Sequence, residues 1–181
     1  MTLEMLIIAA VRIAGSLPVL RWAFWGGLIA VLVDQSDLLL MNLLRLGGVN
    51  NYQGFDKYLD QVYLLAFLLV ALRWPDPPRA IAIALYLYRL AGFFAFEATG
   101  ERDLLLFFPN LFEFWFLFIA ALQQFRPQTR LGSAPVLLAL APLLALKLGQ
   151  EYAIHYARWL DGFTTVEAIE AAWRWLTGPF R

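Results

Sequence analysis

The chain has 181 residues, 61% of them hydrophobic and 15% charged, with a formal net charge of zero and a mean hydropathy of +0.64. A water-soluble domain of this size has too much surface to hide that much apolar side chain, so the composition indicates an all-α, polytopic integral membrane protein of the bacterial inner or plasma membrane type. The balanced charge argues against nucleic acid as a partner, and the absence of cysteine removes disulfides, iron–sulfur clusters and covalently attached haem.

One domain is expected over residues 1–181. Residues 1–17 make a short apolar segment interrupted by Arg12, read as an interfacial helix because it is too short to cross a bilayer alone. Glu4 stands where a cleaved leader would carry positive charge. The first span is expected over 19–44, flanked by Arg21 and Arg45, with Asp34 and Asp37 in its second half. The helix-breaking loop LGGVNNYQG follows. The second span, 55–74, carries Asp56 and Asp60 in its opening turns. The proline-rich turn RWPDPPR separates it from the third span, 79–97. The fourth, 103–124, contains Pro109, where a kink is expected, and the run FFPNLFEFWFLF reads as lipid-facing packing around one polar stripe. The fifth is 134–156. The tail 164–177 places Val166, Ile169, Trp173 and Leu176 on one face, which suits a second interfacial helix.

Counting depth from the turns at about 1.5 Å per residue puts the polar groups of all five spans in the same half of the bilayer. Asp34, Asp37, Asp56, Asp60, Glu97, Glu113 and Glu151 face three cations, Lys57, Arg89 and Lys147. Arg89 and Glu113 lie at matching depth and are expected to pair. Lys147, Glu151 and His155 form a stripe at i, i+4 and i+8. A lone ionisable group facing lipid costs roughly 2.5–3.5 kcal/mol, so these residues are expected to share one inward cavity. A divalent cation would offset the excess of carboxylates. Oxygen ligands from Asp34, Asp37, Asp56, Asp60 and Glu151 suit magnesium, manganese or calcium, and a single histidine argues against zinc. The plainer alternative for Asp56 and Asp60 is capping of the second span, where negative charge suits a helix N-terminus.

The four aspartates are similar in spacing to the signature of the CDP-alcohol phosphatidyltransferases, D-x2-D-G-x2-A-R followed by G-x3-D-x3-D. The glycine after the second acid is replaced by Leu38, the Ala-Arg pair by Met41 and Asn42, and the later glycine by Tyr52. That resemblance implies a helical membrane enzyme in which Asp34, Asp37 and Asp56 bind two divalent metals and Asp60 acts as base. His155 is the other candidate base. Arg89 and Lys147 are candidates to hold a phosphate. Three functions stay open: a metal-dependent transferase acting on a membrane lipid, or a degenerate relative of one; an accessory subunit held to a membrane-protein partner or to further copies of itself; and a small cation or proton transporter.

Overall fold

The computed structural model describes residues 2–44, 46, 52–100, 107–152 and 173–174. These residues form helices joined by turns, and no strand occurs among them. Helix α1 spans Leu3–Ser16 and continues as a 3-10 turn over Leu17–Leu20. It is followed by α2 (Ala23–Asp34), α3 (Asp37–Leu44), α4 (Tyr52–Ala71) and α5 (Pro78–Thr99). The chain continues through α6 (Leu111–Phe125), α7 (Ala134–Leu138) and α8 (Leu140–Glu151).

Local chemistry sets several of these boundaries. The Thr2 hydroxyl accepts from Met5 N at 3.2 Å and caps α1. Prolines in the turn at 75–78 open α5, where a missing N–H costs nothing. Gly100, at φ 72°, closes it in the left-handed conformation that side chains resist. Pro109 does not kink a helix: α6 begins after it, at Leu111. The first expected span is likewise divided. The turn at Gln35–Ser36 separates α2 from α3, and the Ser36 hydroxyl donates to Val33 O at 2.7 Å there.

Helices α4 and α6 form the centre. α4 packs on α1, α2, α5 and α6, while α6 also packs on α2, α5 and α8. Phe67 stacks on Phe116 with ring centroids 4.0 Å apart, and Trp74 stacks on the same ring at 5.3 Å. Phe112, Trp115, Phe116 and Ile119 are fully enclosed. The aromatic run of α6 is therefore core rather than lipid-facing surface. Its Trp115 indole N–H also reaches Pro78 O at 3.2 Å, tying α6 to the start of α5.

Among the described residues, two segments are long and apolar enough to cross a membrane by length and composition, Leu3–Leu20 and Pro78–Thr99. Only 28% of each window is buried inside the protein, unlike the core helix of a soluble fold. The apolar helices Ala23–Asp34, Leu111–Phe125 and Ala134–Gln150 are shorter, and α4 has the length but carries Asp56, Lys57 and Asp60. Helix α1 shows an inverted pattern. Its buried stripe is Glu4, Ile8, Arg12 and Ser16, at i, i+4 spacing, while Leu3, Leu6, Ile13 and Leu17 are exposed. Arg12, expected to interrupt an interfacial helix, instead lies at the centre of this inward stripe. Of the tail at 164–177, only Trp173 and Arg174 fall within the described residues, where both are helical and exposed.

Gly26 marks the tightest approach between α2 and the 3-10 turn. A Cβ there would collide with the backbone of Pro18 and Val19. Gly26→Ala is expected to destabilise the protein by about 1–3 kcal/mol, the usual cost of overpacking. Gly149→Ala, with open space around the added methyl, should be neutral or stabilise by up to about 1 kcal/mol through helix propensity. Unfolding of the two variants in detergent, followed by circular dichroism, checks the contrast.

Candidate functional site

Four aspartates converge on Arg12. The guanidinium Nη1 donates to Asp37 Oδ2 at 2.8 Å and to Asp56 Oδ1 at 2.9 Å. Its Nη2 donates to Asp60 Oδ1 at 2.8 Å and to Asp34 Oδ1. Arg12 is 3% exposed, so water does little to screen these contacts.

Each partner is positioned by a different piece of the fold. Asp34 is the last residue of α2 and Asp37 the first of α3, so the intervening turn places one acid on each side of the helix break. Asp37 also gains from the positive end of α3. Asp56 and Asp60 are one turn apart on α4 and share a face. Neither caps that helix, because α4 begins at Tyr52 and both carboxylates are spent on side-chain cations. Lys57 closes the group from the same helix, with Nζ 2.8 Å from Asp56 Oδ2 and 3.2 Å from Asp60 Oδ2. Backbone bonding of Ser16 Oγ to Arg12 O at 2.7 Å steadies α1 without engaging the guanidinium.

The cluster continues into the bundle. Arg89 Nη2 lies 3.9 Å from Asp60 Oδ2, and Nη1 donates to Phe108 O at 2.8 Å. Tyr63, three residues beyond Asp60, donates to Glu113 Oε2 at 2.9 Å. Asn110 Nδ2 donates to the same oxygen at 3.0 Å and to Tyr63 Oη at 3.1 Å. Glu113 is thus satisfied by neutral donors, and Arg89 turns to Asp60 and a backbone carbonyl. No ion pair joins Arg89 to Glu113 among the described residues. Lys147 Nζ bonds Gln150 Oε1 at 2.9 Å and lies 5.4 Å above the Phe114 ring. Glu97 accepts from Tyr58 at 2.8 Å at an exposed position on α5. The Glu151 side chain and the whole of His155 lie outside the described residues.

The structure thus brings together Asp34, Asp37, Asp56 and Asp60, together with Lys57 and Arg89. The residue that sequence reasoning left out is Arg12. Its signal was present in the sequence: Glu4, Ile8, Arg12 and Ser16 recur every four residues, which puts both charged groups of that segment on one helix face. Carboxylate oxygens of Asp34, Asp56 and Asp60 lie within 4.8 Å of one another. Two oxygens on opposite sides of a calcium ion stand roughly 4.6–5.2 Å apart, so this group can hold a single hard cation. Asp37 joins through Arg12.

Removing Arg12 would leave four carboxylates short of their shared partner. Arg12→Leu is expected to cost about 3–5 kcal/mol, as when one member of a buried ion pair is deleted. Tyr63→Phe removes a donor to Glu113 and an acceptor for Asn110, at about 1–3 kcal/mol. Both effects are read as lowered unfolding midpoints in detergent.

No protein-family model, no curated protein and no solved structure matches this chain. Its functional reading therefore rests on the aspartate cage and on the helices that build it.

Proposed function

We propose that this chain is a polytopic integral membrane protein whose working centre is the aspartate cage. In this reading the cage is a binding site for a hard divalent cation, of the kind used by membrane enzymes that transfer lipid headgroups. The observation that carries it is the convergence of Asp34, Asp56 and Asp60 from α2 and α4 to within 4.8 Å. The donors are all carboxylate oxygens, which suits magnesium, manganese or calcium. The inverted pattern of α1 supports the membrane part. Charged side chains inside and leucines outside are stable where the surroundings are lipid.

When bound, such a cation would polarise a phosphoryl oxygen and offset its charge. Asp34 and Asp56 are the more open of the cage carboxylates, with side chains 12% and 20% exposed. They are placed to meet an incoming polar headgroup. Asp60 is more enclosed, at 8%, and has Lys57 and Arg89 on its second oxygen. In the transferase reading Asp60 would accept the proton of the attacking hydroxyl, and Lys57 and Arg89 would lie beside the phosphate. Leu38 and Tyr52 stand where the signature has the glycines that let a nucleotide donor approach the backbone, and Met41 and Asn42 replace its Ala-Arg pair. A divergent relative that retains a cation site but not the nucleotide cradle fits this pattern.

Arg12 favours a second reading. A guanidinium bonded to all four aspartates is itself a means of joining α1, α2, α3 and α4, as an accessory subunit of a membrane complex would need. A transport pathway has less support. Beyond Tyr63 the buried side chains of α4 are Leu64, Ala66, Phe67, Val70 and Ala71, and none of these is polar enough to carry an ion onward.

Thermal unfolding of the full chain in detergent separates the first two readings. With chelator present, then with magnesium, manganese or calcium in excess, the cation site predicts a higher midpoint, corresponding to about 2.7 kcal/mol at a hundredfold excess over Kd. Asp34→Asn or Asp60→Asn should abolish that rise. A midpoint unmoved by every ion would leave the accessory reading in its place.

A further inference from the structure

We propose that Arg12 is a tethered competitor for the cation site: its guanidinium occupies the position among Asp34, Asp56 and Asp60 that a divalent cation would take, and the two exclude one another. This rests on the cation-site reading above and adds a control element to it.

Each carboxylate of the converging trio gives one oxygen to Arg12. A metal ion held by those same three oxygens would meet the guanidinium and its positive charge. The guanidinium does not exhaust the cage. Asp37 is 1% exposed and turns its Oδ2 onto Arg12 at 2.8 Å, yet its Oδ1 has no hydrogen-bond partner among the described residues. A buried carboxylate oxygen left without a donor is costly. Arg12 is planar and donates along fixed directions, whereas a spherical cation accepts six to eight oxygens from any side. Arg12 also brings one positive charge where a divalent ion brings two. The cage is therefore closed by a group that matches it only in part.

The side chain has a way out. Among the described residues the guanidinium bonds only the four aspartates, and the hydrogen bond from Ser16 reaches only the Arg12 backbone. Asp34 and Asp56 mark the more open side of the cage. In the proposal the long arginine stem would carry its head toward that side when the cation enters. Cation entry would then be coupled to release of the ion pairs that join α1 to α4.

The test is manganese binding to the full chain in detergent, read from the electron paramagnetic resonance of the free ion. The wild type is compared with Arg12→Gln and with Arg12→Lys. Arg12→Gln should bind manganese at least tenfold more tightly than wild type, and manganese should restore the thermal midpoint that the substitution lowers. Adding Asp34→Asn in that background should remove the gain. Arg12→Lys keeps one charge but cannot bridge four carboxylates, so a severalfold gain is expected, and it carries the test should Arg12→Gln fail to fold. Equal affinity in wild type and variants would overturn the competition while leaving the cation site standing. Weaker binding in the variants would show that Arg12 organises the site rather than competes for it. No manganese bound by any form would overturn both the competition and the site beneath it.

Discussion

One guanidinium shared by four carboxylates holds this structure's polar centre together. Arg12 contacts residues from α2, α3 and α4 at once. The arrangement is costly to assemble, since five ionised groups must leave water. Once formed it is cohesive, because losing any one member leaves the others as uncompensated buried charges. Lys57 and Arg89 extend it by balancing the outer oxygens of Asp56 and Asp60. The apolar core of α4 and α6 then begins where the charges end, at Tyr63.

That transition along α4 explains how one helix serves two environments. Its first turns offer Asp56, Lys57 and Asp60 to the cage. Tyr63 is amphipathic, with its ring packed against Phe67 and its hydroxyl on Glu113. From Leu64 onward the buried side chains are apolar and stack with the aromatic residues of α6. The polar centre is thereby braced by a rigid aromatic wall, which keeps the carboxylates from relaxing away from one another.

Much of this was legible in the sequence. The meeting of Asp34, Asp37, Asp56 and Asp60 follows from the cost of leaving charges in an apolar chain and from their spacing on helices that reverse direction. The proline turn at 75–78 and the glycine at 100 mark helix ends for backbone reasons that do not depend on context. What sequence reasoning missed were tertiary choices. Arg12 looked like an interruption because it was weighed against its apolar neighbours in sequence rather than its neighbours at i±4. Arg89 and Glu113, expected to pair, take different partners: neutral donors on Tyr63 and Asn110 satisfy the acid, and Arg89 turns to Asp60 and Phe108 O. The aromatic run of α6 faces inward because α2, α4, α5 and α8 surround it, a fact of packing that composition cannot reveal. The break at Gln35–Ser36 carries no glycine or proline to announce it.

The order of charges along the chain has a consequence for assembly. Arg12 precedes its four counter-charges by 22, 25, 44 and 48 residues. In a bilayer, a helix carrying an unneutralised arginine is a poor substrate for insertion by itself. If the chain is inserted in lipid as proposed, α1 would be held there only once α2, α3 and the start of α4 supply its counter-charges, so these helices would enter as one unit rather than one at a time.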